Sequence, residues 1–189
     1  MMDGELFPGR RKAVFLDRDG VINRNVVRGS VTHPPDRVEE FELLPGVVEA
    51  VRRLAEAGFV LVVVTNQPDV ARGKQQREVV EQMNDVVRST LPVQDVLACY
   101  HDSGDACACR KPKPGMLLEA SQRWGLDLDG SFMVGDRWSD VLAGQAAGCR
   151  TVLIANPYSG AERCRPDHTA AELSAAVDWI LTFPIEDEQ

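Results

Sequence analysis

The sequence predicts an α/β protein built on a doubly wound parallel sheet, with helices on both faces. Short runs rich in β-branched and other apolar residues recur along the chain, and stretches of helical length separate them. In addition, the polar clusters that could carry chemistry follow directly after those runs. Because ligands of open α/β sheets bind outside the carboxyl ends of the strands, these clusters are the candidate functional residues.

The individual elements follow from length and periodicity. Apolar runs with the length of buried strands lie at 13–16, 60–64, 96–99, 132–134 and 151–154. Helices are predicted at about 47–57, 77–90, 116–124, 140–147 and 170–181. In the first helix, Val47, Val51 and Leu54 have helical apolar spacing. We therefore expect one three-layer (Rossmann-like) domain over 1–189, with its core at about 11–182.

Composition argues against several classes of protein. The chain has 189 residues, and 21 Lys and Arg against 29 Asp and Glu give a net charge of -8, which disfavours a nucleic-acid partner. No run approaches the roughly 20 apolar residues of a membrane span, and the first residues lack the pattern of a signal peptide. A soluble, cytoplasmic monomer with no nucleic-acid or membrane partner is expected.

Two acidic clusters follow predicted strands. Asp17 and Asp19 flank a turn after the first strand, and Asp136 follows Gly135 at the end of the fourth, with Asp140 close behind. Carboxylates that lie close together repel one another unless a cation lies between them, and the hard, oxygen-binding ion Mg²⁺ suits such a site. An isolated Asp-x-Asp-Gly sequence is equally typical of an ordinary turn, and Asp140 is equally well explained as the N-cap of the next helix.

Two further side chains could contact a phosphoryl group. Thr65 closes the most apolar strand and offers a hydroxyl, and Lys111 brings a cation in a proline-flanked loop. The equatorial oxygens of a transferring phosphoryl group need such donors. Each residue alone has a simpler interpretation, as a strand-end cap or a solvated basic loop, but their joint order along the chain is hard to obtain by chance.

The order and spacing of these residues resemble the four motifs of the haloacid-dehalogenase-like (HAD) phosphatases, over about residues 13 to 155. The motifs are Asp17-x-Asp19-Gly20-Val21, Thr65-Asn66, Lys111, and Gly135-Asp136 with Asp140. The resemblance implies that Asp17 is the nucleophile and forms an aspartyl-phosphate. It also implies that Asp19 is the general acid/base, which protonates the leaving alkoxide and later activates water.

The same resemblance implies the cofactor and the groups that bind the phosphoryl. Thr65 and Lys111 would bind the transferring group, and Asp140 would support the metal or the lysine. A carboxylate that attacks a phosphate dianion needs a divalent cation and a lysine to offset their mutual repulsion. The implied Mg²⁺ ligands are the Asp17 carboxylate, the Asp19 backbone carbonyl and Asp136.

A cluster of cysteines and a histidine precedes Lys111. Cys99-x-His101 and Cys107-x-Cys109 place four ligands within residues 99–109. Three cysteines and one histidine make a closed, tetrahedral site for structural Zn²⁺. The alternative is a set of ordinary reduced thiols beside a chance histidine. A zinc site here would stiffen the loop that ends at Lys111.

The zinc loop narrows the resemblance to two groups, the bacterial heptose 1,7-bisphosphate phosphatases and the histidinol-phosphate phosphatases. Residues 110–117 and the run Thr65-Asn66-Gln67 are most similar to the heptose group. That similarity implies that Arg110 recognises a remote polar or phosphate group and that Asn66 and Gln67 shape the pocket. The short gap between His101 and Cys107 is instead similar to the histidinol-phosphate group. Residues 20–44 would form a flap, too short for a cap domain.

The resulting hypothesis is a Mg²⁺-dependent phosphomonoesterase with a structural Zn²⁺, acting on a small phosphorylated sugar. The expected reaction removes the C7 phosphate from D-glycero-D-manno-heptose 1,7-bisphosphate. Histidinol phosphate, or another small phosphomonoester, is the alternative substrate. Two other classes remain: a catalytically silent binding module on the same fold, and a nucleic-acid end phosphatase, which the negative charge disfavours.

Overall fold

The computed structural model describes residues 11–28 and 31–183. Residues 1–10 and 184–189 of the predicted domain lie outside the described residues, and so do positions 29–30 of the predicted flap. The first residues, which lack a signal-peptide pattern, belong to the undescribed 1–10. In chain order the strands are β1 (Arg11–Leu16), β2 (Val26–Arg28), β3 (Val31–His33), β4 (Val60–Asn66), β5 (Asp95–Cys99), β6 (Leu126–Gly135), β7 (Arg150–Ile154) and β8 (His168–Ala170). The helices are α1 (Val47–Glu56), α2 (Pro68–Ala71), α3 (Arg77–Thr90), α4 (Gly115–Trp124), α5 (Trp138–Ala147) and α6 (Leu173–Ile180).

The main sheet confirms the predicted parallel, doubly wound architecture. Six strands lie in the order β5-β4-β1-β6-β7-β8, and every neighbouring pair is parallel. The central strand β1 is buried on both faces: Val14 and Leu16 pack into one apolar cluster, and Ala13 and Phe15 into another. Helices α1 and α6 cover the first face, and α4 covers the second. The carboxyl ends of β1, β4 and β6 therefore meet at one edge.

The predicted flap contains an antiparallel hairpin. Strands β2 and β3 pair with each other and form a separate sheet of two strands, and a single 3-10 turn at Val38–Glu40 follows. Within the described part of 20–44 there is no larger folded unit, which confirms the expected absence of a large cap domain. Among the described residues, no helix combines the length and the apolar character needed to cross a membrane.

Two predicted helix starts are wrong. The helix predicted from residue 170 begins at Leu173, because residues 168–170 pair with β7 as an added edge strand. Helix α5 begins at Trp138, two residues earlier than predicted, so Asp140 is the third residue of the helix and not its N-cap. Its carboxylate instead accepts a hydrogen bond from the backbone N–H of Arg137, at 2.9 Å.

Candidate active site

The acidic turn after β1 is fixed by backbone hydrogen bonds. Asp17 continues the sheet, because its N–H donates to the carbonyl of Val134 in β6 at 2.9 Å. The carbonyl of Arg18 then accepts the N–H group of Ile22 at 2.8 Å, which turns the chain back at once. Gly20 makes this turn with φ of +95°, a region that L-residues rarely adopt. The turn thus leaves Asp17 buried at the edge of the sheet.

Lys111 reaches the same place from the loop before α4. Its ammonium donates to Asp17 Oδ1 at 2.7 Å and to the carbonyl of Val64 at 2.7 Å, and it lies 2.6 Å from Asp140 Oδ1. The backbone of Lys111 is held separately: Asn66 Nδ2 donates to its carbonyl at 3.0 Å, and its N–H donates to Asn66 Oδ1 at 3.1 Å. The end of β4 therefore fixes both the course of this loop and the position of its cation.

Asp136 completes a cluster of buried carboxylates. Carboxylate oxygens of Asp17, Asp136 and Asp140 all lie within 4.8 Å of one another. Asp136 Oδ1 is buried and has no hydrogen-bond partner among the residues that the structure describes. Asn156 holds the neighbouring backbone, since its Nδ2 donates to the Asp136 carbonyl at 2.9 Å. Gly20 lies so close that a Cβ there would be 2.2 Å from Asp136 Oδ2.

The electrostatics of this cluster are unbalanced. Burial raises the pKa of Asp17 to about 6; Lys111 opposes the shift and Asp140 adds to it. Burial and the Asp17 charge raise the pKa of Asp136 to about 8. Burial also disfavours the Lys111 ammonium, but Asp140 and Asp17 more than offset this and raise its pKa. When all three carboxylates are ionised, the Lys111 ammonium and the Arg137 guanidinium, whose Nε is 3.9 Å from Asp136 Oδ1, leave one negative charge uncompensated. The oxygen donors, including the Asp136 oxygen without a hydrogen bond, therefore fit a hard divalent cation such as Mg²⁺.

Asp19, Thr65 and Gln67 form a second hydrogen-bonded group beside the cluster. The Gln67 side-chain amide donates to Asp19 Oδ2 at 2.6 Å and to the Thr65 hydroxyl at 2.8 Å. Thr65 and Gln67 are both buried. The structure thus brings the acidic turn and the end of β4 together, as expected from neighbouring strands of a parallel sheet.

The cysteine and histidine cluster also forms. Ligand atoms of all four residues lie within 4.8 Å of one another, with 3.2 Å between the sulfurs of Cys99 and Cys109 and 4.0 Å between those of Cys99 and Cys107. His101 contributes Nδ1, 3.3 Å from the Cys109 sulfur. A tetrahedral site with Zn–S bonds of about 2.3 Å has edges of about 3.8 Å, so this donor set fits Zn²⁺. Without a metal, burial and Cys109 raise the pKa of the Cys99 thiol to about 12.

Arg110 lies between the two sites but its guanidinium is turned to the zinc loop. Its Nη1 donates to the backbone carbonyl of His101 at 3.2 Å. The side chain is partly exposed, unlike that of Lys111.

Some residues of the site were missed by the sequence analysis. Asn156 lies after β7 and holds the backbone of Asp136. Arg18, inside the acidic motif, is fully buried and bonds to Asp19 and to Asn84 of α3. The motif itself could have drawn attention to Arg18. Asn84 and Asn156 carry no local signal, because their partners are distant in sequence.

Comparisons with known proteins agree with the family that the sequence motifs resemble. A family model described as HAD-hydrolase-like matches residues 108–176. D-glycero-beta-D-manno-heptose-1,7-bisphosphate 7-phosphatase of Escherichia coli strain K12 is 38% identical over 181 residues, which are 89% of this chain and 87% of that protein. The enzyme of the same name from Pseudomonas aeruginosa is 38% identical over 149 residues, 76% of this chain and 81% of the relative.

A solved structure extends the comparison to three dimensions. The D,D-heptose 1.7-bisphosphate phosphatase from B. bronchiseptica, complexed with magnesium and phosphate, has a TM-score of 0.77 and 30% identity to this chain. The match covers 90% of this chain and 98% of that one. The predicted family, fold and enzyme class are therefore confirmed. The chain belongs to the HAD-like phosphatase family that contains the heptose 1,7-bisphosphate phosphatases.

Proposed function

We propose that this protein is a Mg²⁺-dependent phosphatase that removes the 7-phosphate of D-glycero-β-D-manno-heptose 1,7-bisphosphate. The names of the relatives support the substrate, its anomer and the position of the phosphate. The observation that carries the proposal is the buried Lys111 ammonium, bonded to Asp17 and Asp140 beside an Asp136 oxygen that accepts no hydrogen bond from the described residues. This arrangement can accept a phosphate dianion and a divalent cation together.

Asp17 is the proposed nucleophile. All three N–H groups of the Lys111 ammonium have acceptors, in Asp17, Asp140 and the carbonyl of Val64. An incoming phosphoryl oxygen can therefore bind this ammonium only by replacing one acceptor. Replacing Asp17 Oδ1 would release that carboxylate for attack on phosphorus, while Asp140 and Val64 continue to hold the lysine.

The metal would be held by the carboxylates of Asp17 and Asp136 and by the backbone carbonyl of Asp19. Bound there, Mg²⁺ would supply the positive charge that offsets repulsion between an attacking carboxylate and a phosphate dianion. Asp140 would act indirectly, since its two oxygens are engaged by Lys111 and by the N–H of Arg137.

Proton transfer is assigned to Asp19. As the bond from Asp17 to phosphorus forms and the bond to the sugar oxygen breaks, Asp19 gives its proton to the leaving alkoxide. The resulting Asp19 carboxylate then takes a proton from the water that hydrolyses the aspartyl-phosphate, which returns Asp17 to its starting state. The Thr65 hydroxyl, held by Gln67, would donate to an equatorial phosphoryl oxygen.

Recognition of the rest of the substrate is assigned to Arg110. The residue follows Cys109 directly, so a metal bound by the cluster would stiffen the chain on which it lies. Its guanidinium is partly exposed and could turn from the His101 carbonyl to the second phosphate of a bisphosphate. We further propose one domain with the β2–β3 hairpin beside an open site.

The test measures Mg²⁺-dependent phosphate release from a small panel of substrates. The panel contains both anomers of heptose 1,7-bisphosphate, fructose 1,6-bisphosphate, histidinol phosphate and a 3′-phosphorylated oligonucleotide. Preference for the β heptose bisphosphate is expected, with loss of turnover in Asp17→Asn and full activity in Asp178→Asn, a control on an exposed ion pair with Arg53. Preference for histidinol phosphate would show that this compound, and not the heptose bisphosphate, is the substrate. Appreciable turnover by Asp17→Asn would contradict the assignment of Asp17 as the nucleophile.

A further inference from the structure

A buried arginine lies beside the proposed acid/base. The side chain of Arg18 is 0% exposed, so no substrate can reach it. Its Nε has no hydrogen-bond partner in the part of the chain that the structure describes. Burying a guanidinium carries a large desolvation cost, so an apolar side chain would be more favourable here if the position served only for packing. Its contacts must therefore account for its presence.

The guanidinium joins two elements that are far apart in sequence. Nη1 donates to Oδ1 of Asn84 at 2.9 Å, and Asn84 is itself fully buried on α3. Nη2 lies 3.1 and 3.0 Å from the two carboxylate oxygens of Asp19. The ring of Phe41 lies 5.6 Å from the guanidinium carbon. Arg18 is thus held by a helix on one side and holds Asp19 on the other.

The carboxylate of Asp19 is surrounded by donors. Besides Arg18, the Asn23 amide donates to Oδ1 at 3.0 Å and the Gln67 amide donates to Oδ2 at 2.6 Å. The side-chain position of Asp19 is therefore determined by neighbours in the turn, at the end of β4 and, through Arg18, on α3. Among the residues that the structure describes, Arg18 alone hydrogen-bonds to both carboxylate oxygens.

We propose that Arg18, anchored by Asn84, is a positioning residue that sets the orientation of the Asp19 carboxylate for proton transfer. The proposal rests on the proposed function, because it takes Asp19 as the acid/base. It differs from a purely structural role: a loosened Asp19 should impair only the steps that move a proton, whereas a disturbed fold would impair attack by Asp17 as well.

The leaving group separates these possibilities. A sugar alkoxide must be protonated as it leaves, whereas p-nitrophenolate leaves without a proton. The variants are Arg18→Met and Asn84→Ala, with Asp19→Asn as the reference for complete loss of the acid/base. Arg52→Met is the control, because Arg52 pairs with Glu49 and Glu56 on the exposed face of α1 and is not among the residues that bond to Asp19 or Asn84. Single-turnover product release is measured with the sugar phosphate and with p-nitrophenyl phosphate.

The expected result is a selective loss. In Arg18→Met and Asn84→Ala, first-turnover release from the sugar phosphate should fall about 10²-fold, with p-nitrophenol release within about threefold of wild type. With p-nitrophenyl phosphate, the phosphorylated enzyme should accumulate in these variants, because its formation is nearly normal while water activation by Asp19 is slowed. Equal losses with both substrates in these variants would overturn the proposal, and so would unchanged rates in Asn84→Ala. If Arg18→Met does not fold, Asn84→Ala decides. If Asp19→Asn itself shows no discrimination, the acid/base assignment fails instead.

Discussion

Replacing Gly20 with alanine should impair the proposed Mg²⁺ site by displacing one of its ligands. The added Cβ would lie 2.2 Å from Asp136 Oδ2 and 2.7 Å from Asn25 Nδ2, and ordinary contacts begin at 3.4 Å. The Asp136 carboxylate would therefore have to move by about 1 Å or more, and it is buried. Since Asp136 is a proposed Mg²⁺ ligand, the substitution displaces a ligand without changing any charged group.

The magnitude has two parts. Alanine at φ of +95° costs about 1–2 kcal/mol of stability, and an off-rotamer Asp136 adds about 0.5–1.5 kcal/mol. A displacement of about 1 Å in a catalytic group can lower turnover about 10²-fold. We therefore expect Gly20→Ala to lose about 1.5–3.5 kcal/mol of stability. At saturating Mg²⁺, its kcat should fall about 10²-fold.

Gly46→Ala is the matched control. Gly46 has φ of +78°, and a Cβ there would meet nothing within 4 Å in the described structure. It should therefore show the conformational penalty alone, with wild-type kcat and Mg²⁺ affinity. Denaturant unfolding, steady-state kinetics and Mg²⁺ titration of both variants give the comparison. Wild-type Mg²⁺ affinity and kcat in Gly20→Ala would refute the inferred closeness of the turn to Asp136.

Three further predictions concern the loop, the zinc cluster and the carboxylates. Asn66→Ala removes both hydrogen bonds to the Lys111 backbone, and leaving those groups unpaired costs about 1–3 kcal/mol. If that whole energy is lost from the placement of Lys111 in the transition state, kcat should fall by about 5- to 160-fold while zinc content stays unchanged. Metal analysis should find about one zinc per chain, and Cys109→Ser should lose it and lower Tm by about 10 °C or more. Burial raises the pKa of Asp136 to about 8 in the metal-free folded protein, whereas the unfolded chain loses this proton near pH 3.8. Between these two pH values the folded state binds more protons than the unfolded state, so the stability of the metal-free protein should fall as pH rises. Mg²⁺ should therefore raise Tm more at about pH 8 than at about pH 6.

Each of these has a control and a contrary result. Cys164 lies outside the cluster, so Cys164→Ser should keep its zinc, and equal zinc loss in both serine variants would contradict the assigned ligands. In Asp136→Asn the pH dependence of the Mg²⁺ effect should shrink, and an unchanged dependence would point to another group. Wild-type kcat in Asn66→Ala would show that Lys111 holds its position without the β4 end.

The residues that the sequence could predict are those whose signals are local. Apolar runs gave the central strands of the sheet, and the polar residues directly after them gave Asp17, Thr65 and Asp136. The cysteine spacing indicated the cluster that the structure brings within 4.8 Å. In each case neighbours in sequence are also neighbours in space, or strand ends meet because the sheet is parallel.

The residues that escaped prediction depend on distant partners. Strand β8 exists because β7 supplies its hydrogen bonds, and its last residue, Ala170, was therefore predicted as the start of a helix. The true place of Asp140 in α5 depends on where the helix begins, which its own side chain helps to set through the N–H of Arg137. The bond from Arg18 to Asn84 joins residues 66 positions apart, and no local pattern marks it.

The three acceptors around Lys111 also determine whether this side chain loses its conformational freedom during folding or during substrate binding. A free lysine side chain gives up about 1.5–2 kcal/mol of rotational entropy when it is fixed in one place. Here Asp140 and the Val64 carbonyl fix the ammonium as the chain folds. A substrate that displaces only the Asp17 contact therefore meets a cation that is already immobile. The entropic cost falls on the stability of the protein and not on the affinity for phosphate.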